Sequence, residues 1–144
     1  MHLVYILKMQ DLLKNVGLKK TLARTSILGV LRNSKIPLSV ESIYKELKKE
    51  KKNKGINEVT IYRTLSSFEE TNLVKKVDFR KESMFFELVG GHHHHIVCTN
   101  CDNVEDFQNR EVEKALEVIV KKSSKFKIIR EHSLELFGLC TKCA

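Results

Sequence analysis

The chain has 144 residues, 42% hydrophobic and 31% charged, the balance of a globular protein with material for one good core or two small ones. Its net charge of +8 is lopsided: residues 1–82 carry 18 Lys and Arg against 9 Asp and Glu, whereas residues 83–144 carry 8 against 9. No run approaches the ~20 apolar residues of a membrane span, the short Leu3–Leu7 run is no secretory leader, and the basic half favours a polyanion such as nucleic acid.

Leu3, Ile6, Leu7, Leu13 and Val16 predict a first helix ending near Gly17. A second starts near Thr21 with Ile27, Leu28 and Leu31 on one face. Pro37 closes the connection, and Ser39 caps a third helix that turns Ile43, Tyr44 and Leu47 inward. Part of the lysine-rich stretch 48–54 reads as a solvated surface. Asn57 then caps a fourth helix with the stripe Ile61, Leu65 and Phe68, leaving Thr60, Arg63 and Ser67 on other faces. Residues 73–79 and 84–88, joined by a turn at 80–83, read as a hairpin. Helices followed by a hairpin, in a basic half, describe a winged helix-turn-helix whose later helix enters the major groove. Any small α+β domain gives the same pattern.

Gly90-Gly91 marks a hinge. Short strands are expected near 96–98 and 103–107, then a helix with Val112, Ala115, Leu116, Ile119 and Val120 on its apolar face, then a strand over about 127–139. So small a unit has a thin core, and a metal staple and a partner subunit are the usual remedies. The expected class is α+β: a winged-helix DNA-binding domain over 1–88, a hinge at 89–91, and a small α/β dimerisation and metal-binding domain over 92–144.

All four cysteines occur in two C-x-x-C pairs, Cys98/Cys101 and Cys140/Cys143. In a cytoplasmic protein that spacing points to metal rather than to disulfides, and four thiolates suit a closed structural Zn²⁺ site. Beside them stands His92-His93-His94-His95. In an extended segment alternate side chains point to opposite sides, so His92 and His94 face one way and His93 and His95 the other. Glu87, Asp106, Glu113 and His132 are the candidate further donors, and mixed imidazole–carboxylate sets suit Fe²⁺, Mn²⁺, Zn²⁺ or Ni²⁺.

Over nearly its whole length the chain resembles the ferric uptake regulator family of bacterial metal-dependent repressors. The matching pieces are Gly17-Leu18-Lys19-Lys20-Thr21-Leu22-Ala23-Arg24, Ser39-Val40-Glu41-Ser42-Ile43-Tyr44, Thr60-Ile61-Tyr62-Arg63-Thr64-Leu65, Phe86-Glu87-Leu88, the block from His92 to Cys101, and His132 followed by Cys140-Thr141-Lys142-Cys143. The resemblance implies that Cys98, Cys101, Cys140 and Cys143 hold structural zinc. It implies a hinge-spanning sensory site at Glu87, His93, His95 and Asp106, and a second site at His92, His94, Glu113 and His132. It further implies DNA contacts by Tyr62 and Arg63 of the recognition helix, with Thr60 in the same motif, a minor-groove approach by Lys19, and a phosphate contact by Arg24. Three departures stand out. Pro37 occupies the position where the family usually supplies one more sensory histidine; His94 stands where iron sensors usually carry aspartate; Asp106 is the carboxylate typical of peroxide sensors. The branch (iron, peroxide or zinc sensing) stays open on these residues.

The expected function is a metal-responsive regulator, a homodimeric repressor that binds a palindromic operator when Fe²⁺, Mn²⁺ or Zn²⁺ occupies the sensory site. A zinc-binding buffer or interaction module without operator binding is the alternative, left open by Glu58 at a position where the family tends to be apolar. A metalloenzyme is disfavoured, because a Cys₄ site keeps no open coordination position.

Overall fold

The computed structural model describes residues 11–144. The chain divides into two compact units, Met1–Gly90 and Gly91–Ala144. Among the described residues, no helix is long and apolar enough to cross a membrane.

The N-terminal unit opens with helical residues 11–15 (α1); the predicted positions Leu3, Ile6 and Leu7 lie outside the described residues. Gly17, at φ +74°, ends this helix: its N–H donates to Lys14 O and the next N–H, of Leu18, to Leu13 O. That pair of bonds is a Schellman closure, which needs the left-handed backbone that glycine adopts without strain. Three further helices follow, α2 (Leu22–Asn33), α3 (Val40–Leu47) and α4 (Glu58–Glu70). Each starts where a side-chain oxygen accepts from a free backbone N–H: Thr21 from Arg24, Ser39 from Ser42, and Asn57 from Thr60. Their buried stripes, Ile27/Leu28/Leu31, Val40/Ile43/Leu47 and Ile61/Thr64/Leu65/Phe68, meet Leu13, Ile56, Val74 and Phe86 in one core.

A three-stranded sheet closes this unit in the order β1 (Leu38–Ser39), β3 (Phe85–Leu88), β2 (Val74–Val77). β2 and β3 form the expected hairpin, antiparallel with Lys75 opposite Glu87, but it is shorter than its apolar runs suggest. Asp78 turns the chain away by accepting from Arg80 N–H, and Arg80 itself lies at φ 58°. Phe79 packs on Phe85 at 5.1 Å beyond the strand end. β1, too short to read from sequence, pairs Leu38 with Phe86 and Ser39 with Phe85, so the cap of α3 is also a strand residue. The lysine-rich stretch is not simply solvated. Lys48 Nζ donates to the carbonyls of Lys54 and Ile56 at 2.7 and 3.0 Å, and Asn53 is buried with its Oδ1 accepting from Ser26 Oγ.

The C-terminal unit is built on a second sheet, order β5 (Val104–Phe107), β4 (His94–Cys98), β6 (Glu135–Gly138), with α5 at Arg110–Lys122. β4 begins two residues earlier than its apolar run and so takes two histidines into the strand. The strand expected over 127–139 is only Glu135–Gly138. Its parallel pairing runs from His95↔Glu135 to Cys98↔Gly138, and β4 itself begins only one residue earlier, at His94, so it has no residues to set beside 127–133. The apolar face expected on α5 is present but only partly covered: Val112, Leu116 and Val120 are half-buried, no residue of the helix is fully buried, and Ile119 is 64% exposed. With Phe126, Ile128 and Leu139 also exposed, this unit shows an apolar surface that a single chain does not cover.

Candidate metal centres

Because β4 and β6 run parallel, both deliver the chain to the same end of the sheet, and each turns there in a C-x-x-C knuckle. In the first, Asp102 N–H donates to Cys98 O, Cys98 N–H to Asn103 O, and Asp102 lies at φ 63°. In the second, the N–H groups of Cys143 and Ala144 both donate to Cys140 O. Thr99 N–H donates to Gly138 O at 2.8 Å and ties the two together. All four sulfurs lie within 4.8 Å of one another, and Cys101 Sγ is 3.7 Å from Cys140 Sγ. Tetrahedral zinc at about 2.3 Å from each thiolate spaces its sulfurs about 3.8 Å apart. A disulfide needs about 2.05 Å. The donor set therefore fits a shared Zn²⁺ and not a covalent bridge. Backbone N–H groups of Cys101, Cys140 and Asn100 stabilise the Cys98 thiolate and hold its pKa down at about 6. Cys101 receives an N–H from Asn103, but the neighbouring Cys98 and Cys140 sulfurs outweigh it and push this thiol up to about 11. Four crowded thiols cannot all ionise without a cation among them.

The histidine run divides as strand parity requires. His94 and His95 are both buried, on opposite faces of β4. On one face His92, His94, Glu113 and His132 bring their ligand atoms within 4.8 Å of one another. Glu113, from the first turn of α5, is the hub: its Oε1 lies 3.1 Å from His92 Nε2 and 2.6 Å from His94 Nε2, and its Oε2 lies 3.1 Å from His132 Nε2. His92 and His132 present Nε2 to Nε2 at 3.1 Å. Nitrogens around a tetrahedral ion at about 2.0 Å stand about 3.3 Å apart, so this spacing also fits a cation. Glu113 is held below its ordinary carboxylate range, chiefly by the hydrogen bond with His94. Asn109 fixes the position of Glu113 by capping α5, accepting from Glu111 and Val112 N–H.

On the other face the rings of His93 and His95 meet edge-on at 4.9 Å. His93 Nδ1 faces Gly91 O at 2.8 Å, which orients the ring. Asp106 stands opposite His95 in the β4–β5 ladder and is exposed. In the N-terminal unit, Glu87 on β3 lies 3.1 Å from the Lys75 ammonium across the hairpin. Pro37 is fully buried just before β1.

The residues expected at DNA fall into two groups. Lys19 is exposed, as are Arg63 and Tyr62, the latter 56% so. Arg24 spends one guanidinium N–H on Lys19 O at 2.8 Å, so it shapes the loop that carries Lys19. Thr60 is half-buried and its hydroxyl donates to Asn57 Oδ1, which makes it part of the α4 cap. Glu58, already a departure from the family pattern, and Val59 are both exposed on α4; Val59 carries no signal in the apolar stripe and emerges only once the buried face is known.

A sequence profile described as the ferric uptake regulator family matches residues 15–137. The chain belongs to that family. It is 38% identical over 136 residues to the ferric uptake regulation protein of Bordetella parapertussis, covering 93% of this chain and 95% of that one. The ferric uptake regulator of Vibrio cholerae has the same fold, with a TM-score of 0.79 at 34% identity over 91% of this chain and 98% of that one. The Helicobacter pylori regulator, whose structure is reported to reveal three functional metal binding sites, superposes with a TM-score of 0.80 at 29% identity over 98% and 93% of the two chains. The protein is thus a metal-responsive, DNA-binding transcriptional regulator, and the buffer or interaction module without operator binding is not favoured.

Proposed function

We propose that the protein is a dimeric, cytoplasmic repressor whose grip on a palindromic operator is set by a regulatory divalent metal, Fe²⁺, Mn²⁺ or Zn²⁺. The observation that carries this reading is the parity split of one histidine run beside a complete thiolate set. A protein that needed only a structural ion would have no use for imidazoles on both faces of β4. In this reading the roles divide. Cys98, Cys101, Cys140 and Cys143 hold zinc that stabilises the C-terminal unit. His92, His94, Glu113 and His132 hold a second ion and anchor α5 to β4. His93, His95 and Asp106, with Glu87 from the other side of Gly90-Gly91, form the sensory site.

A cation held by that last set supplies a cross-link between residues on either side of the hinge, which restricts the two reading heads to one spacing. Metal and DNA then raise each other's affinity by the same factor, because coupling is reciprocal. Tyr62 and Arg63 face bases, Arg63 suited to guanine and Tyr62 to thymine methyls. Lys19 follows the backbone, and Arg24 and Thr60 act through the loop and cap they stabilise. The uncovered apolar surface of the C-terminal unit supports the dimer. The three functional metal binding sites reported for the Helicobacter pylori regulator are equal in number to these donor sets, which supports the reading.

The test is an operator mobility shift on protein that retains zinc but has lost its regulatory metal. Strong loss of binding, restored by Fe²⁺, Mn²⁺ or Zn²⁺, is expected. Undiminished affinity rejects metal gating.

A further inference from the structure

We infer that Glu58 reads a base directly and selects cytosine in the operator, a specificity determinant additional to Tyr62 and Arg63. The inference rests on the DNA-reading role of α4 proposed above. Ile61, Thr64, Leu65 and Phe68 face the core, which leaves Glu58, Val59, Tyr62 and Arg63 on the outward side. In helix-turn-helix docking the N-terminal residues of the recognition helix reach the base edges, and Glu58 is the first residue of α4. It lies one turn before Tyr62, so the two side chains are neighbours on the helix surface. Both line the same cleft together with Glu41, Tyr44 and Met84.

Among the described residues the Glu58 side chain makes no hydrogen bond or ion pair; the basic residue that lines that cleft, Lys45, is paired with Glu41 at 2.8 Å. An unpaired carboxylate on the reading face is repelled by phosphate. A hydrogen-bond donor returned by the groove offsets that repulsion. In the major groove guanine and thymine present acceptors at the relevant edge, and adenine sets its N6 donor beside the N7 acceptor. Cytosine presents the N4 amino group alone, the partner a carboxylate accepts from. An acid in the first turn also complements the helix dipole, but that role carries no base preference, and the two readings separate by experiment.

The experiment is selection from random duplex DNA by the metal-loaded protein, followed by affinity measurement on the selected sites, for wild type, Glu58→Gln and Glu58→Ala. Wild type is expected to enrich cytosine at one position in each half-site, and replacing that cytosine should weaken binding on the order of 10-fold. Glu58→Gln, nearly isosteric and neutral, should move the preference at that position to adenine, whose N6 and N7 match a glutamine amide. Glu58→Ala should lose the preference there and keep every other position. If all three proteins select the same sequence, Glu58 reads nothing and the inference fails while DNA reading stands. If wild type selects no sequence, both fail together.

Discussion

Removal of zinc from the four cysteines should unfold the C-terminal unit while leaving the N-terminal unit folded. The magnitudes follow from what each unit buries. The N-terminal unit holds a contiguous core that includes Ile27, Leu28, Ile43, Ile61, Leu65 and Phe68, all at 1% exposure or less. Among the described residues of the C-terminal unit, the only fully buried apolar side chains are Val97 and Cys98, with His94 and His95 beside them. Burial of a Val-sized side chain contributes about 1.5–3 kcal/mol, whereas fixing each backbone residue costs about 1–2 kcal/mol. Structural zinc contributes about 10–16 kcal/mol in small metallo-domains, several times what those two side chains supply. Chelation, or Cys101→Ser with Cys143→Ser, should collapse hydrogen-exchange protection across 94–98 and 104–107 and leave 22–33 and 58–70 protected. Protein stripped of zinc, shown so by metal analysis, that kept full protection in β4 would refute the idea that the thiolate-bound ion replaces a core.

Further outcomes follow from individual contacts. Phe68→Ala removes a fully buried ring from the N-terminal core and should cost about 3–5 kcal/mol in denaturant unfolding. Asn57→Ala removes the cap that Thr60 shares and should cost about 1 kcal/mol, weakening DNA binding through a frayed start to α4. Arg63→Ala should relax the preference for guanine at one operator position, whereas Lys19→Ala should weaken all sequences alike and lower the salt slope of binding by about 1. His95→Ala should abolish metal-stimulated operator binding with the thiolate-bound zinc retained; retention of stimulation would remove His95 from the sensory role. Glu113→Gln should loosen the second site alone, read as one fewer equivalent of bound metal.

Much of this architecture was legible in residues, and the exceptions have physical causes. Ser39 and Asn57 were readable as caps, and Thr21 as a helix start, because a short polar side chain before an apolar stripe is a local signal. The parity of the histidine run was readable for the same reason, since alternation belongs to a strand by itself. Strand ends were not readable, because a strand stops where its neighbour stops: β1 exists through Phe85 and Phe86, and β6 is cut short by the length of β4. Lys48 looked like one charge in a solvated run, yet its ammonium closes the turn before Asn57, a contact set by chain path and not by composition. Val112, Leu116 and Ile119 were read as one apolar face, yet the single chain half-buries Val112 and Leu116 and leaves Ile119 exposed, a division that periodicity does not describe.

The most direct test of metal gating is calorimetric. The affinity of zinc-loaded protein for the regulatory metal is measured with and without a bound operator duplex, beside the operator affinity with and without that metal. If a cation shared by His93, His95, Asp106 and Glu87 gates DNA binding, each ligand must tighten the other by one common factor. A metal affinity that does not change when the operator is bound contradicts that gating.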